Sequence, residues 1–265
     1  MKTLLAGTGF CLALGLFAAC ATAADATPAF QAVTCEGAYR HHLQGVCTDE
    51  KEAIFWSFTT QLVKTDRQGK VLRKIEVGNH HGDLCHRDGK VYVAVNFGKF
   101  NDAQGNANSW IYVYDAASLD LVAKHEVQQV AHGAGGIAWH DGRFLVVGGL
   151  PVGAAANLVY EFDDKFTLVK EHKLAGGFTL MGIQTAAFAD GRWWFGCYGK
   201  PESLLIADAD LGKVERYEFG CSLGIVPLGS GKFLIGRDRK TADMQHIGSL
   251  VLAEADPQRG LRLVK

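Results

Sequence analysis

Two pairs of adjacent histidines, each followed by a glycine and an apolar run, are the residues best suited to chemistry. His41 and His42 precede VCTDEKEAIFWSF, and His80 and His81 precede LCHRDGKVYVAV. A neutral imidazole is a good metal ligand and titrates near physiological pH, so these residues can bind a divalent cation or act as a general base. The same pair before two strands indicates a repeat whose copies direct their histidines at one shared site.

The repeat is marked by Asp-Gly turns between an apolar strand and an aromatic strand. LCHRDGKVYVAV (84–95), IAWHDGRFLVVG (137–148) and AAFADGRWWFGC (186–197) share this order, and 46–58 and 225–236 are variants of it. Two further strand-like runs follow each copy, so a unit of four strands recurs at roughly 45 residues, which is typical of a β-propeller. We therefore predict an all-β fold, a five-bladed β-propeller, with six blades as the alternative.

Closure of the ring has two candidates in the sequence. Residues 29–35 (AFQAVTC) and residues 261–265 (LRLVK) each have the pattern of an outer strand for the last blade. We favour the N-terminal segment, because LRKIEV before the second histidine pair parallels it. A closed ring removes the exposed sheet edges that promote aggregation.

The N-terminus and the overall charge restrict the class of protein. The basic start and the apolar run 4–19 predict a signal peptide over 1–23 and one propeller domain over 24–265, with a lipid anchor on Cys20 as the alternative. We expect an exported monomer, periplasmic or secreted, without a transmembrane segment. A formal net charge of −1 argues against a nucleic-acid-binding protein.

Five cysteines follow the predicted signal peptide, and none forms a C-x-x-C motif. This excludes a zinc ribbon or a thioredoxin-like motif. We expect Cys47 and Cys85, which lie in apolar runs, to be buried free thiols. Cys35 with Cys221 is the disulfide to test first, because both lie just before a repeat begins.

Histidines converge on one face of the predicted ring. In a propeller, the loop entering each blade and the loop between its second and third strands share a face. We predict that His42, His81 and His132 are ligands of a divalent metal, with Zn, Mn, Fe and Ca as candidates, and that His81 or Asp83 is the catalytic base. The alternative is that the histidines only donate hydrogen bonds to loop carbonyls.

A ligand pocket without metal is the second hypothesis for this face. The predicted ligand-binding residues are Gln44, Lys99, Gln184, Tyr198, Lys200 and Arg237. Arginine suits carboxylate and phosphate groups, so we expect a small polar or anionic ligand, with a hydrolase or lyase if the protein turns it over. The rival class is a non-catalytic propeller that binds protein or glycan through this face.

A serine nucleophile is the third hypothesis and the weakest. GCSLG (220–224) matches G-x-S-x-G, and Asp238 or Asp243 and then His246 follow in the order Ser, Asp, His. The motif requires a strand, a tight turn and a helix, whereas here the serine leads into another strand. The pattern therefore disfavours a serine hydrolase.

Two resemblances to known families accompany these patterns. WIYVYDAASLDLVAKHEV (110–127) resembles the YVTN-type propeller repeat, which implies the fold and not an activity. The segments 43–46 (LQGV) and 55–58 (FWSF) resemble stretches of secreted five-bladed glutaminyl cyclases. Trp56 stands where that family has an acidic residue, and Asp83 would serve as its second one. The resemblance supports the blade count more than the activity.

Overall fold

The computed structural model describes residues 30–264, so the predicted signal peptide and Cys20 lie outside the described residues. No helix within that range is long and apolar enough to span a bilayer. The strands are β1 (Val33–Thr34), β2 (Gly45–Thr48), β3 (Ala53–Ser57), β4 (Thr59–Asp66), β5 (Val71–Arg87), β6 (Lys90–Asn96), β7 (Ser109–Asp115), β8 (Leu121–Glu126), β9 (Ala134–His140), β10 (Arg143–Gly148), β11 (Asn157–Phe162), β12 (Leu168–Leu174), β13 (Leu180–Ala189), β14 (Arg192–Tyr198), β15 (Ser203–Asp208), β16 (Val214–Glu218), β17 (Ile225–Gly229), β18 (Lys232–Lys240), β19 (His246–Asp256) and β20 (Gly260–Leu263).

These strands pair antiparallel into sets of four, which we number as units along the chain. Unit 1 is β2, β3, β4 and the first half of β5, and unit 2 is the second half of β5 with β6, β7 and β8. Units 3 and 4 are β9 to β12 and β13 to β16, and unit 5 is built on β17, β18 and β19. The shared strand β5 joins units 1 and 2 into one seven-stranded sheet.

The Asp-Gly pairs form the turns between the first two strands of units 2, 3 and 4. Both residues have positive φ: 49° and 70° at Asp88-Gly89, 44° and 78° at Asp141-Gly142, and 49° and 75° at Asp190-Gly191. Positive φ at both central residues defines the type I′ turn, whose twist matches that of the flanking strands. The repeated dipeptide is therefore the local cause of the repeated hairpin.

The innermost strands β2, β5, β9, β13 and β17 lie side by side in a ring. At Gly45 a Cβ atom would collide with the Cα atom of Asp83, so the close approach of β2 and β5 requires glycine. Five hydrophobic clusters fill the spaces between neighbouring units, and one of them packs unit 5 against unit 1 through Leu234 and Trp56. The core is thus a set of interfaces between sheets.

The cysteines are distributed over these interfaces, with one in each. Cys35 lies between units 5 and 1, Cys47 between units 1 and 2, and Cys85 between units 2 and 3. Cys197 lies between units 3 and 4, and Cys221 lies between units 4 and 5. All five are free thiols. The structure therefore does not form the Cys35–Cys221 disulfide, because a different sheet interface encloses each sulfur.

Both candidate segments close the ring, each on a different part of β19. Val33 and Thr34 of β1 pair with Leu250 and Ser249, whereas β20 pairs with the distal part of β19, from Ala253 to Asp256. The outer strand of unit 5 is thus divided between the two ends of the chain. This pairing favours five blades over six, and the count stays a prediction.

Candidate functional site

A cavity of about 450 Å³ opens at one face of the ring. Its walls come from the segments entering units 1, 2, 3 and 4 and from the long loop between β6 and β7. The lining residues are His42, Gln44, Asn79, His80, Asn96, Phe97, Gly98, Phe100, Gly135, Met181, Gln184 and Tyr198. A volume in the range of roughly 300–1,000 Å³ is usual for sites that bind small molecules.

The long loop between β6 and β7 is fastened at its base and at its tip. Asn96 Oδ1 accepts hydrogen bonds from the backbone N–H groups of Gly98 (3.3 Å) and Asn108 (2.8 Å), and Asn96 Nδ2 donates to the Gly98 carbonyl (3.0 Å). At the tip, the Phe100 ring lies where a side chain at Gly133 would be. The loop therefore presents Phe97 and Phe100 as fixed aromatic walls.

The floor of the cavity is built around one amide group. Gln44 Nε2 lies 2.8 Å from His42 Nε2 and 2.9 Å from His80 Nε2, with Thr59 Oγ1 at 3.1 Å. The amide nitrogen carries two hydrogens for these three neighbours and does not accept, so a protonated Nε2 on either ring would face it donor to donor, and both rings fit only when unprotonated at Nε2. Burial lowers the pKa of His42 and lowers that of His80 to about 4, which keeps both rings neutral near pH 7.

Asp238 fixes the backbone of the segment that carries His42 and Gln44. Its Oδ1 accepts a hydrogen bond from the backbone N–H of Leu43 (3.0 Å), and its Oδ2 lies 2.7 Å from His246 Nδ1. Leu43 is the residue between His42 and Gln44, so this carboxylate fixes the backbone that carries both. The His246 ring lies 6.0 Å from the His42 ring, between centroids.

The serine triad does not form, although its acid and its histidine do meet. Ser222 is buried, and its hydroxyl donates to Glu202 Oε1 at 2.8 Å. His246 is paired with Asp238 instead. Because Ser222 precedes a strand, no helix start is present to expose its hydroxyl as in a nucleophile elbow.

Several polar groups in the lining have no hydrogen-bond partner among the described residues. They are the hydroxyl of Tyr198, the Oε1 atom of Gln184 and the amide of Asn79. Gln184 Nε2 donates to the Met181 carbonyl at 2.7 Å, which fixes the direction of that side chain. Burial, with Glu202 and Asp238 nearby, raises the pKa of Tyr198 to about 12, so its hydroxyl stays protonated.

His81, the predicted base and metal ligand, lies outside the cavity. It is fully buried, with its Nδ1 donating to the Gly78 carbonyl (2.7 Å) and its Nε2 accepting from the Tyr114 hydroxyl (2.8 Å). Adjacent residues of a strand point to opposite sides, so only one histidine of a pair can reach the site. That residue is His80, which the sequence analysis did not select.

Asp83, the other predicted base, lies within the ring and not among the cavity residues. Its Oδ2 accepts a hydrogen bond from the backbone N–H of Ala186 (3.3 Å), and the N–H groups of Leu84 and Val46 also stabilise its charge. Burial outweighs these interactions and raises its pKa well above the ordinary value. This side chain therefore connects the inner strands of units 2, 4 and 1.

The predicted metal ligands are not brought together. His42 bonds Gln44, His81 bonds Tyr114, and His132 Nδ1 lies 2.9 Å from the Asp102 carbonyl. Across residues 30–264, no group of three His, Cys, Asp or Glu side chains is placed to hold a metal ion. His132 is bonded instead to the long loop, since its carbonyl also accepts a hydrogen bond from the Asn101 N–H group.

The predicted ligand-binding residues divide by charge. Gln44, Gln184 and Tyr198 all line the cavity, whereas Lys99, Lys200 and Arg237 do not. Lys99 and Lys200 are exposed, and Arg237 donates to the Gly220 carbonyl at 2.7 Å. Long cationic side chains extend to water when no anion is near, because desolvation of the charge is costly.

The aromatic and sulfur-containing walls were not predicted by sequence reasoning. Phe97 and Met181 line the cavity while remaining 40% and 39% exposed. A signal for Phe97 and Phe100 was present, since two aromatic residues in a polar, glycine-rich loop are unusual. No comparable signal marks Met181, whose position depends on the left-handed backbone at its φ of 59°.

Comparisons with known proteins bear on the fold. No family model matches the chain, and no curated protein matches it. Among solved structures, the glutaminyl cyclase of Myxococcus xanthus is similar with a TM-score of 0.56 at 13% identity, covering 86% of this chain and 100% of that chain.

BamB from Moraxella catarrhalis is less similar, with a TM-score of 0.44 at 14% identity over 88% of this chain and 80% of that chain. The WD40 propeller domain of Doa1 has a TM-score of 0.47 at 16% identity over 84% of this chain and 68% of that chain. At these identities a likeness shows the fold alone, and of these three structures the glutaminyl cyclase has a TM-score above 0.5. The predicted resemblance to propellers is confirmed at the level of fold: this chain is an all-β propeller.

Proposed function

We propose that this protein binds a small, uncharged polar molecule in the cavity at the mouth of the ring. One observation carries the proposal: the twelve lining residues include amides, imidazoles and a phenol, and none is Lys, Arg, Asp or Glu. The lining thus offers hydrogen bonds without a formal charge, because burial keeps the two imidazoles neutral.

The charge of the lining narrows the ligand predicted from the sequence. Moving an ion from water into a site without a counter-charge is costly, whereas a neutral polar molecule loses only hydrogen bonds that the site can replace. The cationic residues Lys99, Lys200 and Arg237, which motivated an anionic ligand, are not among the residues that line the cavity. We therefore keep a polar ligand, as predicted from the sequence, and propose that it is uncharged and not anionic.

The propeller supplies the rigidity that such a site requires. Inner strands of different units position the lining residues, and fixed polar groups bind without a large entropic cost of ordering. As part of the same proposal, the signal peptide predicted over 1–23 supports binding outside the cytoplasm. The likeness to a glutaminyl cyclase supports the scaffold and carries no substrate to this chain.

Three molecules with one frame and different charges test the proposal. N-acetylglycine amide is neutral, N-acetylglycine is an anion and glycine amide is a cation. D-glucose, D-glucuronate and D-glucosamine form a second such set. We expect a neutral member of at least one set to shift the imidazole resonances of His42 and His80 in an NMR titration of the purified protein, at concentrations where its charged relatives do not.

Two variants test whether the molecule that shifts the His42 and His80 resonances binds in the cavity. Tyr198→Phe removes a hydroxyl that no other described residue binds and should weaken binding of the neutral molecule, whereas Lys99→Ala removes an exposed side chain of the same face and should not. A charged molecule that binds more tightly than its neutral relative, or a panel in which no neutral member shifts either histidine, contradicts the proposed function.

A further inference from the structure

We infer that the cavity takes a neutral sugar in its pyranose ring form, an inference that rests on the proposed function and specifies its substrate class. The first observation is the kind of polar group in the lining that has no hydrogen-bond partner within residues 30–264. The Tyr198 hydroxyl and the Asn79 amide both donate and accept hydrogen bonds, and Gln184 Oε1 accepts. A ligand hydroxyl also donates and accepts, so a ring of hydroxyls complements this mixed set.

The second observation is the apolar surface beside these groups. The side chains of Phe97, Phe100 and Met181 line the same cavity, and Phe97 and Met181 remain about two-fifths exposed. Aromatic residues with this exposure gain free energy when another apolar surface covers them. A pyranose carries C–H groups across its ring faces and hydroxyls around its edge, so one molecule fits both kinds of lining.

The third observation separates a sugar from amino compounds. An α-amino group has an ordinary pKa of about 7.7–8.0 and is mostly protonated at pH 7. No carboxylate lines the cavity to pair with an ammonium ion. A compound with a free amino group is therefore a poor match to this lining.

A titration with three hexoses tests the inference. D-glucose, D-glucosamine and D-glucuronate share the ring and differ in charge. We expect D-glucose to shift the His42 and His80 imidazole resonances with the lowest dissociation constant of the three. Tyr198→Phe should raise that constant by about two- to tenfold, the ratio expected for one lost hydrogen bond, whereas Lys99→Ala should leave it unchanged.

A reversal of specificity makes the test stricter. Asn79→Asp places a carboxylate in the lining at nearly constant volume and breaks no hydrogen bond among residues 30–264, whereas Gln184 is held by its donation to the Met181 carbonyl. We expect this variant to bind D-glucosamine more tightly than D-glucose, which a purely structural role of Asn79 would not produce. The sign of this change does not depend on whether the variant is somewhat less stable.

The outcomes distinguish failure of the sugar inference from failure of the proposed function. If N-acetylglycine amide shifts the cavity histidines and D-glucose does not, the sugar inference is overturned and the proposed function stands. If no neutral molecule of either set shifts them, both are overturned. If D-glucosamine or D-glucuronate binds wild type more tightly than D-glucose, the inference is also overturned, because the match of charge was its basis.

Discussion

The side-chain amide nitrogen of Gln44 lies 2.9 Å from Nε2 of His80, and the same nitrogen lies 2.8 Å from Nε2 of His42. One NH₂ group therefore joins segments that enter two different units. Because an amide nitrogen does not accept hydrogen bonds, the arrangement holds only while both rings are unprotonated at Nε2. The floor of the cavity is thus tied to the protonation state of two histidines.

Replacement of the amide by a carboxylate should reverse that protonation preference. We expect Gln44→Glu to raise the pKa of His80 above its wild-type value of about 4, because a carboxylate accepts hydrogen bonds and favours the charged imidazole. An NMR titration of the His80 ring measures this change. Gln44→Met, which has no carboxylate and similar bulk, is the matched control. An equal His80 pKa in both variants would show that Gln44 does not control it.

The two histidines of the pair 80–81 should have separable effects. We expect His81→Ala to lower the free energy of unfolding by about 2–4 kcal/mol, since it leaves a cavity and deprives the buried Tyr114 hydroxyl of its acceptor. His80→Ala, at a partly exposed position, should cost less than about 1 kcal/mol and should weaken binding of the neutral probe instead.

Urea denaturation together with the NMR titration measures both quantities for each variant. The reverse pattern, with His81→Ala stable and defective in binding, would restore His81 as the site residue predicted from the sequence. Loss of stability in both variants without loss of binding would show that neither histidine acts at the cavity.

The repeat was predictable from the sequence because its turns have local causes. Asp88-Gly89 and its equivalents specify the hairpin through their own φ angles, without help from distant residues. The same reasoning predicted which loops share a face of the ring, and Gln44, Gln184 and Tyr198, which were selected on that face, line one cavity. These predictions required only the order of strands and loops.

The order of strands and loops does not show which of His80 and His81 faces the cavity. The pairing of β5 with β6 shifts register between His81 and Leu84, so simple alternation counted back from the strand gives the wrong side. The same irregularity lies beside Asp83, which is directed into the ring and not to the cavity. A bulge depends on packing between units, which a single sequence does not display.

Acidification should destabilise the protein in a defined window. The pKa of His81 is lowered by burial to about 4, below the ordinary 6.5, so the unfolded chain binds the proton first as pH falls. The neutral His81 ring therefore contributes fully to the free energy of unfolding above about pH 6.5, and this contribution is lost progressively as the pH falls to about 4. A shift of this size corresponds to about 3 kcal/mol.

Urea midpoints at a series of pH values measure this dependence. His81→Gln is the informative variant, because an amide can bond Gly78 and Tyr114 without titrating. We expect its stability to fall less steeply between pH 6.5 and 4 than that of wild type. Parallel curves for the two proteins would assign the acid sensitivity to other groups.

Asp83 should show the opposite dependence on pH. Burial raises the pKa of this carboxyl well above its ordinary value, so folding favours the protonated form and the unfolded chain loses its proton first as pH rises. Asp83 therefore contributes most below pH 4, and its contribution decreases as pH rises from there towards the folded-state pKa. Asp83→Asn removes this titration and keeps an acceptor for the Ala186 N–H group.

We expect the stability of Asp83→Asn to increase relative to wild type between pH 4 and pH 7, with binding of the neutral probe unchanged because Asp83 does not line the cavity. Urea midpoints across that range and the NMR titration test the two parts separately. A stability difference that is constant with pH would indicate that Asp83 is ionised in the folded protein. In that case the backbone N–H groups of Val46, Leu84 and Ala186 outweigh the cost of its burial.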